Sequence, residues 1–134
     1  MTIYANMHIF TYMIKEVEKY KAIGEETRLR ILRILIKAQI ELCVCEIIDV
    51  LKKPQYNISK NLSILKKVEL VEERREGRLM MYKIKDDNLF NKKISESISL
   101  IKGDSNPAFK DDFDNLEKRL SLRENGKCII TYKP

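Results

Sequence analysis

The clearest pattern of hydrophobic and polar positions lies near residue 60. Ile58, Leu62 and Leu65 recur at i, i+4 and i+7, which places them on one face of an amphipathic helix. The positions around them carry short polar or basic side chains, the types that reach phosphates and base edges. The candidate DNA-contacting residues on this helix are Gln55, Tyr56, Asn57, Ser59, Lys60 and Asn61. The pattern therefore predicts a helix that packs by one face and offers the other to DNA.

A shorter apolar run precedes this helix. Ile47, Ile48 and Leu51 give the run its own apolar face. A Lys-Lys-Pro segment ending at Pro54 separates the two runs, because a helix usually stops before the residue that precedes a proline. Two helices joined by so short a turn predict a helix-turn-helix. The spacing alone is equally typical of an ordinary two-helix corner in a globular core.

The segment after the helix predicts a β-hairpin, since two short runs flank Gly77. A basic hairpin directly after a DNA-contacting (reading) helix is called a wing, and it can contact the DNA backbone or the minor groove. The candidate residues on the wing are Arg74, Arg75 and Arg78. A solvated edge hairpin is the alternative, because its charges would discourage edge-to-edge aggregation.

Helical spacing elsewhere predicts further helices at about 7–22, at 28–38, at 88–102 with Asp86-Asp87 as the cap, and from Phe109 to Leu120. The expected fold class is mainly α with a small β-hairpin: a winged helix-turn-helix of about five core helices plus a C-terminal helix. We assign residues 1–102 to DNA binding and dimerisation, and residues 103–134 to a C-terminal helix and a Cys-containing tail. The apolar faces of the first and the 88–102 helices exceed what one small core can bury, so we expect a homodimer.

The net charge of +6 is concentrated in one part of the chain. Residues 52–93 carry twelve basic and six acidic side chains, whereas the segments on either side carry seven of each. This placement favours a polyanionic partner. No apolar run reaches the length of a membrane span, and the N-terminus lacks the features of a signal peptide. We therefore expect a cytoplasmic protein without a membrane partner, with its thiols reduced.

The chain has three cysteines, Cys43, Cys45 and Cys128, an odd number that makes a disulfide framework a poor explanation. Cys43 and Cys45 would point about 200° apart on a regular helix. They can share an ion only if Cys43 lies before the helix or the first turn distorts. A thiol at a helix N-terminus has a lowered pKa, which favours ligation as thiolate. The alternative is that these are small core residues, since free cysteine is often buried.

Several of these stretches resemble the ArsR-type (ArsR/SmtB) winged-helix repressors. AIGEETRLRIL (22–32) is similar to the second-helix signature of that family, and LVEERREGRLMMYKI (70–84) is similar to its wing. Gln55, Ser59 and Leu62 match its reading-helix pattern. The LCVC run resembles the inducer-binding box of the arsenical-resistance repressors, and LRENGKC resembles the C-terminus of some arsenic-responsive members.

The resemblance implies a repressor that leaves a palindromic operator when As(III) or Sb(III) binds cysteine thiolates. Such soft centres typically take three sulfurs, which implies a site made of Cys43, Cys45 and Cys128 and no organic cofactor. The chain departs from the family at Ile48, where many arsenical repressors have a third cysteine, and at Glu69, where a glycine is usual. Residues 88–102 contain no histidine, unlike the zinc-sensing branch.

Other functions compete with this interpretation. The thiols could form a redox or persulfide switch, or a thiolate site for Cd, Pb or Zn. A thiol enzyme such as an arsenate reductase needs a glycine-containing loop and an arginine after its cysteine, and we reject it because Asp49 and Leu51 stand six residues after Cys43 and Cys45. We therefore expect that the protein is not an enzyme. A winged helix that binds only proteins is disfavoured by the charge placement.

Overall fold

The computed structural model describes residues 15–129, except for the side chain of Ser105. Residues 15–23 form helix α1, and the part of the predicted first helix before residue 15 lies outside the described residues. The other helices are α2 (Glu26–Ala38), α3 (Val44–Leu51), α4 (Gln55–Lys67), α5 (Leu89–Ser99), α6 (Pro107–Lys110) and α7 (Asp112–Leu120), with a 3-10 turn at Gly103–Ser105. The strands are β1 (Leu42–Cys43), β2 (Val71–Glu76) and β3 (Leu79–Ile84).

Helix α2 lies at the centre of the core. It buries Ile31 and Ile34 as well as Leu32 and Leu35, so this helix packs on more than one side. Helices α3 and α4 pack against it with the apolar faces that the sequence predicts, and their buried residues are Ile47, Val50, Leu51, Ile58, Leu62 and Leu65. Helix α3 ends at Lys52 in the left-handed conformation, with its N–H bonded to the carbonyl of Ile48, and this turn sets α4 against α2.

The three strands form one antiparallel sheet in the order β1-β3-β2. The hairpin is confirmed: β2 pairs with β3 from Val71↔Ile84 to Glu76↔Leu79, and Gly77 has a φ of 61° in the turn. Strand β1 was not expected, because two residues carry no readable alternation. It pairs Cys43 with Met81 and so joins the start of α3 to the wing.

Two predicted helices have different ends in the structure. Helix α5 is capped by Asn88, whose side chain accepts from the N–H of Asn91, so the expected Asp86-Asp87 cap is wrong. An asparagine directly before the first turn satisfies an N–H that no residue further upstream can reach. The single helix expected from Phe109 to Leu120 is broken at Asp111 into α6 and α7.

Helix α7 packs along α3 and α2. Arg30 and Asp112 form a buried ion pair with a 2.8 Å contact, Asn115 donates to the carbonyl of Val50 at 3.1 Å, and Leu116 belongs to the main core. The boundary at residue 102 stays a prediction, while α7 shares its packing with the helices before it. None of the described helices is both long and apolar enough to cross a membrane.

Candidate functional site

Helix α4 carries most of the predicted DNA-contacting residues on its exposed side. It starts after Pro54, whose carbonyl accepts from the N–H groups of Asn57 and Ile58 at 3.1 Å. Tyr56 is 76% exposed. The neighbouring side chains are open to solvent or half-buried: Gln55, Ser59 and Lys60 are exposed, and Asn57 is half-buried. Lys60 makes no ion pair with any residue in the described part of the chain. The anionic DNA backbone can therefore approach Lys60 without first breaking an ion pair.

Asn61 lies against α2 instead of on that exposed face. Its Nδ2 donates to the carbonyl of Asn57 at 2.9 Å, and its Oδ1 accepts from Nη1 of Arg28 at 3.0 Å. It is buried, so its contacts tie α4 to α2. A helical wheel placed it among the polar positions because periodicity does not distinguish a buried amide with partners from an exposed one.

The wing arginines are not equivalent. Arg74 donates to both carboxylate oxygens of Glu41 at 2.8 to 3.1 Å and to Glu76 at 3.1 Å. These hydrogen bonds raise the pKa of Arg74 and occupy its guanidinium. Arg75 and Arg78 are exposed and form no ion pair between residues 15 and 129. Of the three predicted wing residues, these two are the cations available to a polyanion.

The structure brings two of the three cysteines together. Cys43 lies directly before α3, as a shared site requires, and its Sγ is 3.3 Å from Sγ of Cys128. Cys43 is fully buried and Cys128 is half-buried. Cys45 is buried in the same small apolar cluster with Met81. The ligand-type atoms that lie within 4.8 Å of one another among the described residues belong to Cys43, Glu46 and Cys128, and Cys45 is not in this group.

Glu46 belongs to this cluster, although it was not among the predicted site residues. Its side chain is fully buried and accepts from the N–H of Cys43 at 3.0 Å. Arg123 donates to both of its oxygens, at 2.6 and 2.7 Å, and also to the carbonyl of Glu41 at 2.8 Å. Burial raises the pKa of Glu46, but the hydrogen bonds from Arg123 and Cys43 outweigh it and hold the pKa below the ordinary value. The signal in the sequence was the glutamate three residues after a helix N-cap.

The expectation of a lowered pKa for the helix-terminal thiol is wrong. Burial raises the pKa of Cys43 far above that of an exposed cysteine, and the contacts with Cys128 and the charge of Glu46 add to the rise. The hydrogen bond from the N–H of Glu46 opposes these effects without overcoming them. The Cys43 thiol is therefore protonated at neutral pH until a ligand replaces its proton.

Comparisons with known proteins agree with this architecture. Residues 25–73 match the family described as bacterial regulatory protein, arsR family. An uncharacterized HTH-type transcriptional regulator of Methanocaldococcus jannaschii is 46% identical over 65% of this chain and 91% of its own length. The arsenical resistance operon repressor of Escherichia coli is 32% identical, with 51% of this chain and 57% of that protein aligned. The cadmium resistance regulatory protein CadC of Listeria innocua is 33% identical over 54% of this chain and 60% of its own length.

Solved structures give the same result. Reduced HlyU from Vibrio cholerae superimposes with a TM-score of 0.57 at 28% identity, covering 68% of this chain and 92% of that one. A homodimeric winged helix-turn-helix DNA-binding domain from Mycobacterium bovis gives 0.57 at 29% identity, covering 67% and 77%. The chain thus belongs to the ArsR family of winged helix-turn-helix transcriptional regulators, which are not enzymes.

Proposed function

We propose that this protein is a homodimeric repressor that leaves its operator when As(III) or Sb(III) binds the thiolates of Cys43, Cys45 and Cys128. One observation carries the proposal: the sulfurs of Cys43 and Cys128 lie 3.3 Å apart although 85 positions separate the two residues. Soft trivalent centres bind thiolate sulfur. Two sulfurs that are already adjacent need little rearrangement to share one ion.

Cys45 supplies the third sulfur in this proposal. It is buried beside Cys43 in the same apolar cluster, but it lies inside the first turn of α3. Its sulfur joins the pair only if that turn opens. Helix α3 leads directly into α4 through the turn at Lys52. Opening the first turn of α3 therefore changes how α4 lies in the major groove of the DNA. Release of DNA then follows from ligation.

On DNA, we propose that α4 enters the major groove while the wing follows the backbone. The side chains that reach the DNA are Gln55, Tyr56, Asn57, Ser59, Lys60, Arg75 and Arg78. Arg74 and Asn61 support this surface through Glu41 and Arg28.

The dimer is proposed to form through α1 and α5. Exposed apolar side chains on or next to these helices support it: Val17, Tyr20, Leu89 and Leu100. A related domain from Mycobacterium bovis is homodimeric. Two copies related by a two-fold axis would read palindromic half-sites about 34 Å apart.

The test is DNA release measured by fluorescence anisotropy, with a duplex selected by the wild-type protein from a random pool. Under a phosphine reductant, arsenite should weaken wild-type binding by roughly 5- to 150-fold, the usual range of allosteric coupling. Cys43→Ser, Cys45→Ser and Cys128→Ser should bind the duplex like the wild type and fail to release it. A wild-type complex that ignores arsenite would refute the proposal. Normal release by Cys128→Ser would remove the tail cysteine from the site.

The same sulfur contact favours a second candidate function, a redox switch, because a disulfide needs these two atoms to close to about 2.05 Å. We place it second because a disulfide uses only two of the three thiols and leaves Cys45, which is buried in the same cluster, without a role. Cys45→Ser separates the two functions. A Cys43–Cys128 disulfide does not involve Cys45, so an oxidant would still release DNA from this variant, whereas arsenite would not.

A further inference from the structure

We propose that Glu46 is a metal ligand: with Cys43 and Cys128 it forms a site for a divalent thiophilic cation such as Cd²⁺ or Zn²⁺, and Arg123 occupies its carboxylate while the site is metal-free. This inference rests on the proposed function, since it uses the same thiol pair. It adds a second class of ligand, a divalent cation, at that thiol pair and gives Arg123 a part in the binding of this cation.

The geometry of the donor atoms suits such a cation. The two sulfurs and a carboxylate oxygen of Glu46 lie within 4.8 Å of one another. Around a tetrahedral ion with metal–sulfur bonds of about 2.3 Å, two thiolates stand about 3.8 Å apart. The present 3.3 Å separation therefore needs to widen by only a few tenths of an ångström. The backbone already holds Glu46 in place, because the N–H of Cys43 donates to its Oε1.

The negative charge of the Glu46 carboxylate can be compensated either by Arg123 or by a metal ion. A fully buried carboxylate requires a compensating cation, and Arg123 provides it through hydrogen bonds to both oxygens. A divalent ion on the same carboxylate would bring a second cation next to the buried guanidinium. Like charges this close repel strongly in a protein interior. The metal and Arg123 therefore compete for Glu46.

Displacing Arg123 has a structural consequence for the tail. Its guanidinium also donates to the carbonyls of Glu41, which precedes β1, and of Gly126, in the turn that leads to Cys128. Metal binding exchanges these contacts for bonds from Cys43, Glu46 and Cys128 to one ion. Each thiol releases its proton to solvent as it becomes a thiolate ligand, and the carboxylate has no proton to release.

The donor set also separates this site from the arsenite site. A set of two thiolates and one carboxylate suits Zn²⁺ and Cd²⁺, whereas As(III) takes thiolates. Cys45 is outside the group of donors around Glu46, so the divalent site does not require the first turn of α3 to open. Glu46 matters for Cd²⁺ and not for arsenite, and Cys45 has the opposite pattern.

The experiment compares Cd²⁺ affinity in three forms of the full-length protein, with thiolate-to-cadmium absorption as the signal and a chelator as competitor. Arg123→Gln removes the competing cation and should bind Cd²⁺ at least about tenfold more tightly than the wild type. Adding Glu46→Gln to that variant removes the ligand and should reverse the gain by about 10- to 100-fold, the scale of an altered metal shell. Equal affinities of the single and double variants would show that Glu46 is not a ligand. Equal affinities of the wild type and Arg123→Gln would overturn the competition.

Two controls test whether the change in Cd²⁺ affinity comes from Glu46 and Arg123 themselves. Asn115→Ala removes the hydrogen bond to the carbonyl of Val50, which also joins α7 to α3 but involves neither Glu46 nor a cysteine. It should leave the Cd²⁺ affinity near that of the wild type, and a gain equal to that of Arg123→Gln would attribute the effect to a loosened tail. If Arg123→Gln fails to fold, X-ray absorption of the cadmium-loaded wild type decides. A shell of two sulfurs plus oxygen supports the site, and three or four sulfurs refute it.

The proposed function and this inference can fail separately. Arsenite binding should be equal in the Arg123→Gln single variant and the double variant, because arsenite does not use the carboxylate. Arsenite that fails to release DNA refutes the proposed function even if Cd²⁺ binds through Glu46. Cd²⁺ that binds the double variant as well as the single one refutes the role of Glu46 even if arsenite releases DNA normally.

Discussion

The exposed face of α4 and the pocket formed by Cys43, Glu46 and Cys128 differ in what their polar side chains bond to. Tyr56, Ser59 and Lys60 face solvent. In the pocket, the Glu46 carboxylate is fully buried and bonded by a backbone N–H and by Arg123. An exposed polar group keeps its water when a neighbour is replaced, whereas a buried charge loses all of its compensation. Changes on the exposed face of α4 should therefore alter DNA binding and leave stability intact, whereas removal of the partner of Glu46 should lower stability.

The largest expected effect is on the stability of the pocket. Arg123→Ala leaves the Glu46 carboxylate buried and unpaired, which should lower the free energy of unfolding by about 3 kcal/mol, the lower end of the cost of breaking a buried pair. Arg74→Ala is the matched control, since it removes an arginine that binds a carboxylate at the surface. Urea denaturation followed by circular dichroism measures both. A similar loss in the two variants would contradict the contrast between pocket and surface.

Two adjacent residues of α4 test the same contrast within one helix. Asn61→Ala removes the partner of Arg28 and of the Asn57 carbonyl, and should lower the free energy of unfolding by roughly 1–2 kcal/mol. Lys60→Ala should leave stability unchanged and reduce the slope of log affinity against log salt by about 1. Denaturation and DNA titration at several salt concentrations are needed for each variant. A stable Asn61→Ala protein with poor DNA binding would place Asn61 at the DNA instead.

The three arginines of the wing should show the same contrast in their effects on DNA binding. Replacing Arg75 and Arg78 together by Ala should reduce the salt slope of DNA binding by about 2, since each phosphate that is no longer neutralised lowers the slope by about 0.9. Arg74→Ala should change that slope less, because Glu41 and Glu76 already bind its guanidinium. The measurement is again a salt titration with the selected duplex. Equal slopes in all three proteins would argue that the hairpin does not touch DNA.

The smallest expected effect is at the end of α4, where Glu69 has a φ of 61°. This left-handed conformation agrees with the glycine that is usual at this position, and it costs a residue with a Cβ about 1 kcal/mol. Glu69→Gly relieves this cost but loses the exposed ion pairs with Lys15 and Lys85. A net stabilisation of roughly 0.5 kcal/mol should remain, since exposed pairs contribute little. Glu69→Ala, which keeps the strain and loses the pairs, should be less stable than the wild type.

These two regions also differ in how far the sequence predicted them. The reading helix and the wing follow from local periodicity, because Ile58, Leu62 and Leu65 repeat within a few turns. The pocket depends on the contact of Cys43 with Cys128 across 85 positions, which no local pattern reports. The ion pair of Arg74 with Glu41 spans 33 positions and was missed for the same reason. The remaining differences between prediction and structure concern burial, which local periodicity does not report. Burial raises the pKa of Cys43, and Asn61 is buried against α2.

Strand β1 connects the pocket of Cys43, Glu46 and Cys128 to the wing by backbone pairing. Cys43 is the ladder partner of Met81, and Met81 is in turn the partner of Arg74 on the outer strand. A ligand that pulls the Cys43 backbone must either carry the hairpin with it or break the ladder at that rung. A displacement of the Cys43 backbone therefore has a route to the hairpin that does not pass through α4.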